Sequence, residues 1–275
     1  MPDNTNEINV IFITQDEPFF LPLFFNEFKR VNTDNRINIL GAVILAPLGE
    51  SSLLSLAKRM YSFYGLFNFM RVGVRFAVYK ALNLFAVHIF KGNFPGTFSV
   101  MHSLLKNGYK VFSFEDVNAE EFIDFVKEKE VDLLVSVGGS QKFKSQILNT
   151  PKLACINIHN AKLPKNRGML PTFWAMVQYD EDPSTAMTVF KMDENLDSGD
   201  IILQEEVPLN PKEESLEELI IKMKKKNAPL ILKAIRMFKD GTPPMLPNDN
   251  SKATYFSFPK REDVKKFKSK GYKLL

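Results

Sequence analysis

The residues best suited to chemistry sit in one short stretch, Asn157-Ile158-His159-Asn160-Ala161-Lys162-Leu163-Pro164-Lys165-Asn166-Arg167-Gly168. The chain has three histidines, His88, His102 and His159. The first two lie in helix-like stretches, where an isolated histidine reads as structural. His159 instead lies just past an apolar strand-like run. Alternation along a strand puts Asn157 and His159 on one face, about 6–7 Å apart along the chain. An amide N–H and an imidazole placed together could stabilise a developing oxyanion and move a proton. Completing that set takes a carboxylate, and the loop Met192-Asp193-Glu194-Asn195-Leu196-Asp197-Ser198-Gly199-Asp200 offers several. Taken one at a time, these acids could equally be a solvated turn. They do not match a calcium-loop spacing, and one cysteine with no Cys/His cluster leaves no zinc site, so no metal is expected. Cys155, two residues before Asn157, reads as core.

Elements that could position these groups follow from periodicity. Asn9–Ile13 and Ile37–Leu45 read as buried strands. Between them, Pro18–Val31 reads as a helix, with Phe20, Phe24, Phe25 and Phe28 at helical spacing. This is the opening of an α/β domain with a parallel sheet. After Pro95-Gly96, helices are expected over Phe98–Lys106, Ala119–Lys129 and ending at Gln146–Asn149. Strands are expected over Lys110–Phe112, Val131–Val137, Ala154–Ile158, Thr185–Phe190 and Ile201–Leu209. The strand Val131–Val137 ends at Gly138-Gly139, and in open α/β sheets ligands bind at the carboxyl ends of strands. Glu213–Asp240 reads as helical with a possible break at Pro229, and its Lys222–Lys226 cluster reads as a solvated face. The basic tail, Asp263–Lys273, reads as disordered or packed on the surface.

From Ser51 to Phe90 the chain is apolar and helix-like, with scattered Arg59, Arg71, Arg75 and Lys80. Its uncharged runs, Met60–Met70 and Ala81–Phe90, fall short of the roughly 20 residues that span a bilayer. Two readings stand: a helix pair packed on the domain or in a homodimer interface, and a peripheral membrane contact with basic side chains at the headgroups.

With 275 residues and 45% hydrophobic content, the chain can bury a full core. It holds 25 phenylalanines against one tryptophan, many of them between Phe12 and Phe98. A formal charge of +4 permits anionic partners without requiring nucleic acid. The lone cysteine points to a reducing compartment. The polar start, Met1–Asn9, lacks the pattern of a signal peptide, so a cytoplasmic location is expected.

Asn157-Ile158-His159 with Leu163-Pro164-Lys165-x-Arg167-Gly168, then Met192-Asp193 and Leu196-Asp197-Ser198-Gly199-Asp200-Ile201-Ile202, resembles the formyltransferases that use 10-formyltetrahydrofolate. That family includes methionyl-tRNA, glycinamide ribonucleotide and nucleotide-sugar N-formyltransferases. The resemblance runs from about Lys110 to Leu209, weakens over the first strands and fails in Ser51–Phe90. It implies a Rossmann-like α/β fold with a mostly parallel sheet. The catalytic domain would cover residues 1–210, with a helical insertion at about 51–92, followed by a small helical C-terminal extension over 211–275. By the same resemblance Asn157, His159 and Asp197 are catalytic, with Asp197 hydrogen-bonding His159 and fixing its tautomer. The folate co-substrate would lie between Gly139, Ser140, Gln141, Lys142 and Phe143 on one side and Met192, Asp193, Glu194, Asn195 and Leu196 on the other.

The acceptor is less legible. Glycinamide ribonucleotide enzymes carry a Gly-rich phosphate turn after the first strand, whereas here Thr14-Gln15-Asp16-Glu17-Pro18 has no glycine and two acids. Methionyl-tRNA formyltransferases carry a C-terminal β-barrel, for which the 66 residues after Leu209 are too few. A nucleotide-linked amino sugar is therefore the expected acceptor. Thr254-Tyr255-Phe256 resembles the closing motif of some sugar formyltransferases, or is a small edge strand. Other readings are a methionyl-tRNA formyltransferase-like enzyme, a 10-formyltetrahydrofolate hydrolase and a non-catalytic sugar-binding relative.

Overall fold

A strand buried on both faces must serve two cores, and β1 (Ile8–Gln15) does so. Ile8, Val10 and Phe12 enter one cluster and Ile11 and Ile13 the other, as the two-residue period requires. In the computed structural model, residues 7–45, 53–139 and 141–275 are described. α1 (Leu21–Val31) covers the first cluster, with Phe24, Phe25 and Phe28 fully buried. Their rings meet Phe12 edge-on at centroid distances of 5.7, 5.6 and 4.9 Å. Each such side chain contributes roughly 1.5–3 kcal/mol by burial, which accounts for the phenylalanine-rich start of the chain. The helix begins at Leu21, three residues later than periodicity predicts. The Glu17 carboxylate accepts the N–H groups of Phe19, Phe20 and Leu21 at 2.7, 2.7 and 2.8 Å and holds Pro18–Phe20 outside the helix.

β2 (Ile37–Leu45) matches its expected span. The apolar stretch that follows forms α2 (Leu53–Tyr64) and α3 (Leu66–Leu84), divided by Gly65 at φ 75°, with a π-helical turn over Phe85–Ile89. The 24 helical residues Leu66–Ile89 contain an 18-residue window of mean hydropathy 1.3 and are long and apolar enough to cross a membrane by length and composition. The uncharged runs alone understate this length, because the helix continues through Arg71, Arg75 and Lys80. One face of α3 rests on the body of the protein. Phe19 meets Phe76 and Tyr79 at 6.4 and 5.3 Å, and Arg75 pairs with Glu217 at 2.5 Å.

The chain continues through α4 (Val100–Lys106), β3 (Val111–Phe114), α5 (Glu120–Glu128), β4 (Leu133–Ser136), α6 (Ser145–Leu148) and β5 (Ala154–His159). Then come β6 (Arg167–Gly168), α7 (Pro171–Val177), β7 (Ser184–Lys191), β8 (Ile201–Pro208), α8 (Leu216–Lys239), β9 (Tyr255–Phe256) and α9 (Arg261–Ser269). The main sheet has the order β3-β2-β1-β4-β5-β7-β8. β1 to β5 run parallel, and β7 is antiparallel to both β5 and β8. Strand order reverses between β1 and β4, and this is where open α/β sheets leave a crevice.

α8 starts on a capping box of Ser215 and Glu218 and runs unbroken through Pro229. Proline removes one backbone bond, and burial of Leu230, Ile231, Ala234 and Ile235 just beyond it offsets that loss. The tail is ordered. Val264, Phe267, Tyr272 and Leu274 join the first cluster, and the α9 lysines stay outside.

Candidate active site

β5 places the two polar side chains. It lies between β4 and β7, and at its end Asn157 sits beside Ser136 and His159 beside Thr188. The Asn157 carboxamide oxygen accepts from the N–H of Ile158 at 2.9 Å. Its amide NH2 donates to no described residue, so both hydrogens are available to the space in front of it. Ile156 and Cys155 point into the two cores. Burial pushes the Cys155 thiol far above the ordinary range, so it is inert, as its sequence position suggests.

The loop after β5 is tied down by side chains of the neighbouring strands. Thr188 Oγ1 donates to the Ala161 carbonyl at 2.7 Å, and Gln204 Nε2 donates to the Leu163 carbonyl at 3.1 Å. Arg167-Gly168 then pairs in parallel with Tyr255-Phe256, so that segment forms a small strand. Gly168 has φ 96°, and a Cβ there would lie 2.3 Å from the Phe256 carbonyl oxygen. Only glycine fits this close approach.

The acidic loop brings Asp197 to the same place. Asp193 shapes it from within, accepting from Asn195 N–H at 2.9 Å and Ser198 Oγ at 2.6 Å. Asp197 sits at φ 52°, a left-handed conformation that aspartate tolerates better than most residues. Its carboxylate Oδ2 accepts the Gly168 N–H at 3.0 Å. Asn248 clamps both loops. Its amide donates to the carbonyls of Asp197 and Gly199 at 3.0 and 3.1 Å, and its oxygen accepts from Arg167 Nη2 at 3.0 Å.

His159 and Asp197 are 8% and 6% exposed and face each other, with Nδ1 3.7 Å from Oδ2. That distance is too long for a hydrogen bond, which corrects the expected direct bond between them. His159 Nε2 instead lies 2.9 Å from the Asn166 carbonyl. A carbonyl only accepts, so Nε2 carries the proton and the tautomer is set by Asn166. In the neutral ring Nδ1 is then a lone pair turned toward the carboxylate.

Asn157, His159 and Asp197 open on one cavity of about 360 Å3. Of the two loops predicted to frame a donor, Gly139 and Leu196 line it. Gln141 is turned away, its side chain accepting from Val117 N–H and donating to the Glu115 carbonyl. Phe143 is buried in the second core and Met192 packs between cores. Lys142, Glu194 and Asn195 are exposed beside the cavity loops. Ser140 lies outside the described residues.

Three further lining residues, Gln15, Glu17 and Lys224, come from distant segments. Glu17 already occupies the N–H groups at the start of α1, the position a phosphate-binding turn would use. Lys224 was expected on a solvated face. Instead it is half-buried in the cavity wall, while Lys225 and Lys226 are exposed. Burial pushes its ammonium below the ordinary lysine range, and the nearby Glu17 opposes this. No described residue lies within hydrogen-bonding distance of its Nζ. Alternation of charge along a helix could have signalled one inward lysine, but not which. His102 is buried in α4, with Nε2 3.3 Å from the Gly92 carbonyl, and His88 is exposed. Both stand apart from the cavity. Among the described residues there is no group of three or more His, Cys, Asp or Glu that could hold a metal ion.

The formyl transferase family model matches residues 95–235. The methionyl-tRNA formyltransferase of Agathobacter rectalis is 32% identical over 163 residues, which is 59% of this chain and 52% of that protein. The chain thus spans about half the length of the curated relatives it matches. A sugar N-formyltransferase from Shewanella sp. FDAARGOS_354 has a similar fold, with TM-score 0.56 and 18% identity over 91% of this chain and 76% of that one. So does the Helicobacter canadensis N-formyltransferase solved with folinic acid and dTDP-3-aminofucose, with TM-score 0.56 and 16% identity over 93% and 72%. The match covers just over half of the 275 residues and includes every residue of the Asn157, His159 and Asp197 set, so the chain belongs to the formyl transferase family.

Proposed function

We propose that this chain moves a formyl group from 10-formyltetrahydrofolate to the primary amine of an anionic acceptor, with a nucleotide-linked amino sugar as the acceptor class. The observation that carries the proposal is the convergence of Asn157 and His159 from the end of β5 and Asp197 from the acidic loop onto one cavity. Its volume of about 360 Å3 falls in the range of small-molecule sites, about 300–1,000 Å3. The donor would lie between Gly139 and Leu196 and supplies an electrophilic formyl carbon on a nitrogen able to leave.

The chain's own groups account for the rest. Asn157 offers its unpaired amide N–H to the formyl oxygen, where negative charge develops as the amine attacks. His159, with its proton held on Nε2 by Asn166, presents Nδ1 as the base. When Nδ1 takes the proton of the attacking amine, the Asp197 carboxylate stabilises the resulting imidazolium. The proton then passes to the departing donor nitrogen. One N–C bond forms, one breaks, and the proton lost by the acceptor ends on the donor. Asp197 is held for this work by Gly168 N–H and by the Asn248 clamp.

Lys224 supports an anionic acceptor, since a desolvated cation without a bonded counter-charge suits a phosphate or carboxylate. Glu17 argues against a phosphate at the start of α1 itself. A second reading, methionyl-tRNA as acceptor, is favoured by the 32% identity to the A. rectalis enzyme. Incubation with 10-formyltetrahydrofolate and a panel of amines, read by mass spectrometry, separates them. The panel holds 3-amino and 4-amino sugar nucleotides, glycinamide ribonucleotide and methionyl-tRNA. The expected result is one formyl group gained by a sugar nucleotide. Gain by methionyl-tRNA alone overturns the acceptor class, and no gain by any amine overturns the reaction.

A further inference from the structure

The face of α3 turned from the body of the protein is apolar along its length. Leu66, Phe67, Met70, Val74, Val78 and Phe85 are between 49% and 81% exposed and recur at three- and four-residue spacing, as one helix face does. Contiguous apolar surface of this kind marks an interaction site. The charges within the segment itself are all of one sign. No acidic residue occurs between Glu50 and Glu115, while Lys58, Arg71, Lys80 and Lys91 are exposed there.

We propose that the α2–α3 insertion docks this protein on the surface of an anionic lipid bilayer, with α3 lying in the interface. The cations pair with lipid phosphates and the apolar side chains enter the acyl boundary. Exposed Tyr61 suits the headgroup level, and exposed Phe67 and Phe85 the apolar boundary beneath it. A second copy of the chain fits less well. A symmetric contact would set the same cations against one another, with no acid in the segment to neutralise them. Nor is α3 free to be surrounded by lipid, since Arg75, Phe76 and Tyr79 bind it to Glu217 and Phe19. Phe19 directly precedes Phe20 and Leu21, which line the catalytic cavity, and Glu217 lies one turn before cavity-lining Ile220. Docking thus holds the cavity beside the lipid surface, and it stands whether or not the acceptor assignment does.

Flotation of the full chain with phosphatidylcholine vesicles, with and without phosphatidylglycerol, tests this. The protein is expected to float with the anionic vesicles and remain behind with the neutral ones. The triple variant Phe67→Glu/Val74→Glu/Phe85→Glu should partition at least about tenfold less. So should Lys58→Gln/Arg71→Gln/Lys80→Gln/Lys91→Gln. These side chains are exposed, so both variants should keep the wild-type unfolding temperature. Equal behaviour on the two vesicle types, or undiminished flotation of the folded triple variant, overturns the proposal. So does a wild-type dimer in sedimentation that the triple variant turns into a monomer.

Discussion

His159 donates its Nε2 proton to the Asn166 carbonyl 2.9 Å away, and that bond decides what the imidazole can offer the cavity. Its other nitrogen, facing Asp197, is free to take a proton and to form a bridge with the carboxylate once it has one. Nitrogen-edited NMR of the histidine ring should therefore find the neutral form as the Nε2–H tautomer. A neutral ring protonated on Nδ1 would contradict this assignment.

Asn248 acts at a distance from the chemistry, through Arg167 on one loop and Asp197 and Gly199 on the other. Asn248→Leu keeps the volume but leaves three buried polar partners unsatisfied, at about 1–3 kcal/mol for each such group. A destabilisation of about 3 kcal/mol is expected, with kcat falling more than KM rises. Hydrogen exchange over Met192–Asp200 should accelerate, which a purely local packing defect would not produce.

Lys224 reaches the cavity without a hydrogen-bonding partner among the described residues. Lys224→Met should raise the acceptor's KM by about tenfold or more, as loss of a charge-assisted contact does. The KM for the folate should change little, and unfolding temperature should hold or rise, because a desolvated cation is removed. A folate-specific defect would move Lys224 to the donor side.

Asp34 and Lys239 join α8 to the turn before β2 at 2.5 Å, with side chains 15% and 5% exposed. Lys239 first, then the Arg36 N–H, hold the Asp34 carboxyl well below the usual carboxylate range. Because the folded-state value is depressed, its stabilisation is complete above the ordinary carboxylate value of about 3.9. It is lost as pH falls through the folded value. Asp34→Asn should cost about 1–3 kcal/mol at neutral pH, and the gap from wild type should close in strong acid. A gap that widens on acidification would reverse the assignment.

Much of this architecture is legible in sequence where it depends on local period. β2 runs Ile37–Leu45 as expected, and the pairing of Asn157 with His159 on one strand face needs only alternation. Phe24, Phe25 and Phe28 announce a buried helix face in the same way. What the sequence hides is rotation and reach. Lys224 and Lys225 are neighbours, and only the packing of α8 against α1 turns one into the cavity and leaves the other outside. Glu17 resembles any loop acid until three N–H groups are found on it. The Asn248 clamp joins segments some fifty and eighty residues apart, which no local pattern records. The tautomer of His159 depends on a backbone carbonyl that any residue at position 166 would supply, so no side-chain motif announces it.

The most direct test of the account is formyl transfer by Asp197→Asn against wild type, followed by mass spectrometry of the amine acceptor. Asparagine keeps the shape and an oxygen for the Gly168 N–H, so the variant should fold as wild type does. It lacks the charge that stabilises a protonated His159, so transfer should fall by about 10²–10⁴-fold. Transfer within a few-fold of wild type would contradict the assignment of Asp197, and with it the proton path through His159.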